Sequence, residues 1–312
     1  RELGGEHPEK LADINPDERA DWLAKCYVAG TRAYEDDPEA KAQITDFNKR
    51  VYQIHADNDH QSPFAQIYWQ TRDWSYDYFK AFYQRIGSHF DKFYPESMTA
   101  TRGYQEVQRH IGTVFEKSDG AVVFRGEQYG LHTRVFINGE GLPTYETKDV
   151  GLIYLKYDDW KFDKSIIITA DEQKEYMKVV LKALEQFAPE LSRATLHITH
   201  GIVKLAGGVK MSSRKGNFLR AVDVIDYANA ENQAENGVND ERVSLGAIKY
   251  AFLKPRIGGD VIYDPKESVS LVGNSGPYLQ YSHARACSII KKAGGIGDNQ
   301  SQILDFDANE RA

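Results

Sequence analysis

From Pro143 onward the chain alternates helix and strand patterns, and that rhythm restricts its possible folds more than any other feature. Thr144 is a good helix cap, and the helix runs towards Trp160. Ser165 to Thr169 carries isoleucine at its three middle positions and reads as a short, continuous apolar strand of the kind buried in a parallel sheet. Gln173 to Phe187 is a helix, and Leu196 to Leu205 contains the next strand. Alternation of this sort implies a doubly wound α/β sheet with its ligand crevice at the strand carboxyl ends.

The flanks read differently. Pro16-Asp17-Glu18, Pro38 and Pro63 each start a helical segment, the last carrying an aromatic stripe that includes Trp74, Tyr78 and Phe82 and reads as core. Between Phe90 and Asn138 a helix from Gln105 to Ile111 precedes two short strands, Gly120 to Phe124 and Thr133 to Ile137, which suggest a small α+β insertion. After Phe218 the pattern is helical again, over Val222 to Asn236, Glu241 to Phe252 and Tyr278 to Lys292.

The 312 residues carry a formal net charge of −7, which argues against bulk non-specific nucleic-acid affinity but leaves room for a local basic face. Cys26 and Cys287 are the only cysteines and form no C-x-x-C pair, so no zinc site or disulfide framework is indicated, and a reducing cytoplasm is expected. No apolar run is long enough to span a bilayer.

Beyond the second strand lies Lys210-Met211-Ser212-Ser213-Arg214-Lys215-Gly216. Three cations, two hydroxyls and flanking glycines make a donor-rich loop suited to a polyanion such as a triphosphate. As composition alone it is equally a solvated turn. Tyr145 and Asp149 are four apart and share a helix face. A carboxylate beside a phenol suits a planar cation, and a guanidinium matches it best because its fork of donors meets a carboxylate bidentately. The plain alternative is an acid on a solvated first turn. Gln173 follows the Ser165–Thr169 strand and so stands at a strand carboxyl end, with Asp171 before it as a possible helix cap. His197 and His200 are three apart in a strand, point to opposite faces and form no metal pattern.

Three strings carry a family resemblance. The loop at 210–216 is similar to the KMSKS loop of class I aminoacyl-tRNA synthetases, in the form found in arginyl-tRNA synthetases. The string from Gly141 to Asp149 resembles their arginine-pocket motif. The string from Val272 to Arg285 resembles the segment that opens their helical anticodon-binding domain. The resemblance implies a Rossmann-like parallel sheet with an α+β insertion and a C-terminal helical region. It divides the chain into residues 1–142 (helical and insertion region), 143–220 (second half of the nucleotide-binding fold), 221–271 (stem contact) and 272–312 (start of the anticodon-binding domain).

The implied activity is ATP-dependent ligation of arginine to tRNA(Arg), with magnesium accompanying ATP, no tightly bound cofactor, no membrane and a monomeric state. The implied roles are arginine binding by Tyr145, Asp149 and Gln173; adenine and ATP contact by His197, His200, Gly201 and Val203; and phosphate contact by Lys210, Met211, Ser212 and Ser213. Lys210, Arg214 and Lys215 supply the catalytic cations, since Ser213 stands where many class I enzymes have a second lysine. Gln280 and Arg285 either touch tRNA or brace their helix. His110-Ile111-Gly112-Thr113 lacks the second histidine of the HIGH signature and is read as a coincidence. The chain is therefore expected to be a fragment that begins after that signature and is defective in activation alone. The alternatives are a class I synthetase for another amino acid, a non-catalytic arginine- or tRNA-binding relative, and a generic nucleotide-binding α/β protein.

Overall fold

The computed structural model of the chain describes residues 2–205 and 220–294, which fall into two units. The first holds residues 2–202 and 257–260; the second holds 203–205, 220–256 and 261–294.

The first unit opens with helices α1 (Arg19–Asp36), α2 (Pro38–Ala56) and α3 (Pro63–Arg85). Proline begins α2 and α3, where an N–H would have no helical partner in any case. Asp37 caps α2 by accepting from the Glu39 and Ala40 amides, and Ser62 caps α3 by accepting from Ala65. The aromatic stripe of α3 is core only in part. Trp74 is buried, but Tyr78 and Phe79 are exposed. Near the end of α3, Tyr83 packs against Phe90 and Phe93, both exposed, so these rings cover one another rather than lying beneath a second layer.

Helix α4 (Glu96–Arg109) begins well before Gln105, because Thr99, Ala100 and Gly103 form its buried face and carry little apolar signal. It packs on α5 (Tyr145–Trp160) at backbone contact. A β-carbon added to Gly103 would lie 1.8 Å from the Thr147 carbonyl oxygen, and one added to Gly151 would lie 2.0 Å from that of Thr99. Between these helices run β1 (Glu116–Ser118), β2 (Ala121–Phe124) and β3 (Arg134–Ile137), an antiparallel sheet in that order. The polar β1 has no alternation to announce it. The insertion is not a separate body. Phe115, Phe124 and Phe136 share one core with Val107 of α4, Val150 and Ile153 of α5, and Met177, Val180 and Leu184 of α6 (Lys174–Glu185).

Strand β4 (Ser165–Ala170) precedes α6, and α7 (Pro189–Ala194) leads into β5 (Thr195–His200). β4 and β5 are parallel neighbours, with Ile167 opposite His197 and Thr169 opposite Thr199. The fold is thus α/β with a parallel sheet, as the alternation predicts. The expectation of a fully buried β4 is corrected. Ile167 packs on the core, whereas Ile166 and Ile168 are 52% and 66% exposed and Leu196 on β5 is 43% exposed. With successive side chains pointing to opposite faces, only one face of this strand pair is covered.

The strand expected over 196–205 is also corrected: it is two strands in two units. β5 pairs with β4, whereas β6 (Val203–Leu205) pairs in parallel with β7 (Val261–Tyr263) in the second unit. The break falls at Gly201-Ile202, where the Ile202 amide donates to Asp260 Oδ1 at 2.9 Å.

The second unit adds α8 (Ala221–Asn236), α9 (Glu241–Leu253), α10 (Pro265–Ser268) and α11 (Gly276–Lys292). Ile225, Ala228, Ala247, Tyr263 and Val269 are its buried residues of note. Asp240 and Ser275 cap α9 and α11. No helix of the described residues is long and apolar enough to cross a membrane.

The glycine contact yields a first prediction. Gly103→Ala forces the Thr147 backbone aside and destabilises the first unit by about 3 kcal/mol, in the range of core overpacking. Urea unfolding measures this; a loss below about 0.5 kcal/mol, the range of neutral surface changes, would contradict it.

Candidate active site

Helix α5 is fixed at its N-terminus by β3. The Thr144 hydroxyl donates to the carbonyls of Val135 (2.7 Å) and Phe136 (3.0 Å) rather than capping the helix, which corrects the expected cap. The buried Thr147 hydroxyl donates to the Phe136 carbonyl as well. Four side chains then converge from three elements. Arg134 of β3 pairs with the buried Glu146 of α5 at 3.2 Å. Its guanidinium lies 5.3 Å from the ring centre of Tyr176 in the first turn of α6. The Tyr176 hydroxyl donates to Asp149 Oδ2 at 2.5 Å.

Asp149 is the unusual member. It is half-buried, and among the described residues no cation pairs with it, since Arg134 is taken by Glu146 and Lys148 by Glu96 (2.6 Å). Burial pushes its pKa up, the Tyr176 hydrogen bond opposes this, and the negative charges of Glu146 and Glu96 add to the rise. Tyr176 is pushed far above the ordinary phenol value by burial and by Asp149, so it stays a donor at any physiological pH. A half-buried carboxylate with acidic neighbours and no counter-ion is a site for an incoming cation.

The strand carboxyl ends lie in the same unit. The 3-10 turn Asp171–Gln173 follows β4, and Gln173 is exposed at the start of α6, three residues before Tyr176. Asp171 does not cap that helix; it accepts from the Thr199 hydroxyl of β5 at 2.9 Å and ties the two strand ends together.

Comparison with known proteins decides the family. The model for tRNA synthetases class I (R), catalytic domain, matches residues 9–264. The chain belongs to the arginine-type class I tRNA synthetases. An arginine–tRNA ligase of Bacteroides fragilis is 32% identical over 259 residues, covering 78% of this chain and 43% of the relative. One of Treponema denticola is 33% identical over 234 residues, covering 70% and 40%. The chain therefore spans under half the length of these relatives. The arginyl-tRNA synthetase structure of Thermus thermophilus superposes with a TM-score of 0.62 at 21% identity over 85% of this chain and 52% of its own. That of Plasmodium falciparum gives 0.61 at 16% identity over 85% and 50%. At these identities the structures establish the shared fold.

The residues singled out in this synthetase sequence are differently placed. Tyr145 is two-thirds exposed, and its ring faces the Lys148 ammonium at 4.9 Å, while Asp149 turns to Tyr176. The two are on one helix but engage different partners. His197 Nε2 is 2.8 Å from the Thr169 hydroxyl, and burial lowers its pKa. His200 donates from Nδ1 to the Gly201 carbonyl at 2.8 Å. At Gly201 a β-carbon would lie 2.0 Å from the Gly259 carbonyl oxygen, so chain backbone fills that space. Val203 belongs to β6 of the second unit. Gln280 donates to the Arg242 carbonyl at 3.3 Å and so braces α11 on α9, while Arg285 is exposed on α11. Lys210, Met211, Ser212, Ser213, Arg214 and Lys215 lie outside the described residues. Tyr176, Arg134 and Glu146 were not apparent in the sequence. The helical offset from Gln173 to Tyr176 was the one available signal; no local spacing links Arg134 to either.

Asp149 has a stability consequence. Its folded pKa is raised above the ordinary 3.8, so its favourable contribution is complete below 3.8 and is lost as pH rises through the folded value. The ionised carboxylate thus weakens the ligand-free fold at neutral pH. Asp149→Asn, which still accepts from Tyr176, should raise the thermal midpoint at pH 7, and the gain should shrink towards pH 3.8. Thermal unfolding at both pH values checks this, and a lower midpoint at pH 7 would refute it.

Proposed function

We propose that this chain carries the arginine-recognising part of an arginine–tRNA ligase. The observation that supports this most is Asp149: a half-buried carboxylate, held by Tyr176, beside two further acids and paired with no cation among the described residues. A guanidinium supplies the missing charge and fits the plane of a carboxylate with paired donors.

In this reading Asp149 and Tyr145 hold the guanidinium and Gln173 meets the amino-acid end. The arginine carboxylate attacks the α-phosphate of ATP, forming arginyl-adenylate and releasing pyrophosphate. The arginyl group then passes to the terminal ribose of tRNA(Arg), and AMP leaves. His197 and His200 line the adenine side, and Met211, Ser212 and Ser213 flank the triphosphate. Lys210 is first among the cations that meet the pyrophosphate, followed by Arg214 and Lys215. Catalysis is positioning and charge stabilisation, with no covalent protein intermediate. Magnesium enters with ATP as part of the substrate, and the work is done in the cytoplasm. Residues 143–220 form the second half of the nucleotide-binding fold, 221–271 contact the tRNA stem, and 272–312 open the anticodon-binding domain. There Arg285 is free to meet tRNA, and Gln280 contributes by holding α11 in place.

Calorimetric titration with L-arginine, citrulline and lysine tests the pocket. Citrulline keeps the shape without the charge, and lysine keeps the charge without the planar fork. Arginine should bind at least about a hundredfold more tightly than either, the scale of leaving a buried charge unpaired. Equal binding of all three, or none by arginine, would sink the proposal.

A further inference from the structure

We propose that Tyr176 is a positioning residue of the arginine pocket: its hydroxyl sets the plane of the Asp149 carboxylate so that a guanidinium can meet it edge to edge. The inference rests on the arginine reading above and adds to it a residue whose sequence pattern did not announce it.

The argument begins with the freedom of an aspartate. The torsion that turns its carboxylate is broad, with no sharp staggered wells. Bidentate pairing with a planar guanidinium needs that plane fixed. Asp149 sits within α5, so its β-carbon is well placed, but the helix does not fix its oxygens. Among the described residues the one side-chain hydrogen bond that does so comes from the Tyr176 hydroxyl to Oδ2, at 2.5 Å. A carboxylate offers about four lone-pair directions, and Tyr176 uses one. Enough remain for a two-point guanidinium contact.

Tyr176 is itself held rigidly. It is 9% exposed and belongs to the core cluster with Met177 and Val180 of its own helix. Arg134 lies over its ring, and Glu146 fixes Arg134. The chain of contacts therefore runs from β3 through Glu146 and Arg134 to Tyr176, and ends on Asp149. Arg134 itself bonds Glu146 through Nη1 at 3.2 Å and meets the Tyr176 ring, not the Asp149 carboxylate.

The same hydrogen bond favours the ionised form of Asp149 and opposes its surroundings. The charged and titratable groups facing it are Glu146 on α5, Glu96 on α4 and Tyr176 on α6, with Arg134 on β3 behind the tyrosine ring. Burial and both glutamates favour the neutral acid, and Tyr176 favours the anion. Removing the hydroxyl should loosen the carboxylate and make it easier to protonate.

Tyr176→Phe tests this, because phenylalanine keeps the ring, its packing and the contact with Arg134. Two readouts are taken on the full chain and on this variant. The first is arginine affinity by calorimetry across pH. The second is the titration of the Asp149 side-chain carboxyl carbon by NMR without ligand. The expected result is about tenfold weaker arginine binding, the scale of one hydrogen bond to a charged group. The acid limb of binding should also move to higher pH, and the Asp149 carboxyl should titrate higher. A role in packing alone would move neither pH readout. Unchanged affinity and unchanged titration would overturn the inference while leaving the arginine pocket intact. If the unaltered chain binds no arginine, the pocket reading falls, and the NMR titration still decides whether Tyr176 governs Asp149.

Discussion

The first unit depends on two helices touching backbone to backbone. Gly103 on α4 meets the Thr147 carbonyl of α5, and Gly151 on α5 meets the Thr99 carbonyl of α4. No side chain separates the helices there, so their spacing is set by main-chain atoms, which cannot change rotamer. This places α5 more firmly than interdigitating side chains would. It carries Glu146, Lys148 and Asp149 into fixed positions, and the shared aromatic core of Phe115, Phe124 and Phe136 then closes the insertion sheet against the same helix. The insertion is in that sense part of the site's foundation.

On this rigid base the site is electrostatically unbalanced. Two acids of the region have cations of their own: Glu146 has Arg134 and Glu96 has Lys148. Among the described residues Asp149 has only a phenol. A fold selected for stability alone would leave such a carboxylate exposed or pair it. Burial and the two neighbouring acids raise the Asp149 pKa, so its ionised form is held at a cost to the fold.

The strand pair β4–β5 leads into the helix that carries Tyr176. Thr199 and Asp171 tie the strand ends, and the adjoining turn leads directly to Gln173 and Tyr176. Tyr176, one turn further on, then reaches Asp149 on α5. Farther along, the chain leaves β5, stops pairing at Gly201-Ile202 and enters a different two-stranded sheet. A continuous apolar pattern had hidden that change of partner.

The sequence by itself determined the helix starts at Pro38 and Pro63, the parallel strand–helix–strand alternation, and the placement of Tyr145 and Asp149 on one helix. Each of these follows from local backbone rules or from a fixed periodicity. The tertiary structure alone decided which isoleucines of β4 face outward, because an apolar residue carries no mark of whether a second layer covers it. It alone decided that the run from Thr195 to Leu205 serves two sheets, because pairing partners are distant in sequence. It also decided that Asp149 answers to Tyr176, backed by Arg134 and Glu146 from β3 and α5. No spacing rule connects a strand residue to a helix turn forty-two positions later (from Arg134 to Tyr176); only packing in three dimensions brings them together.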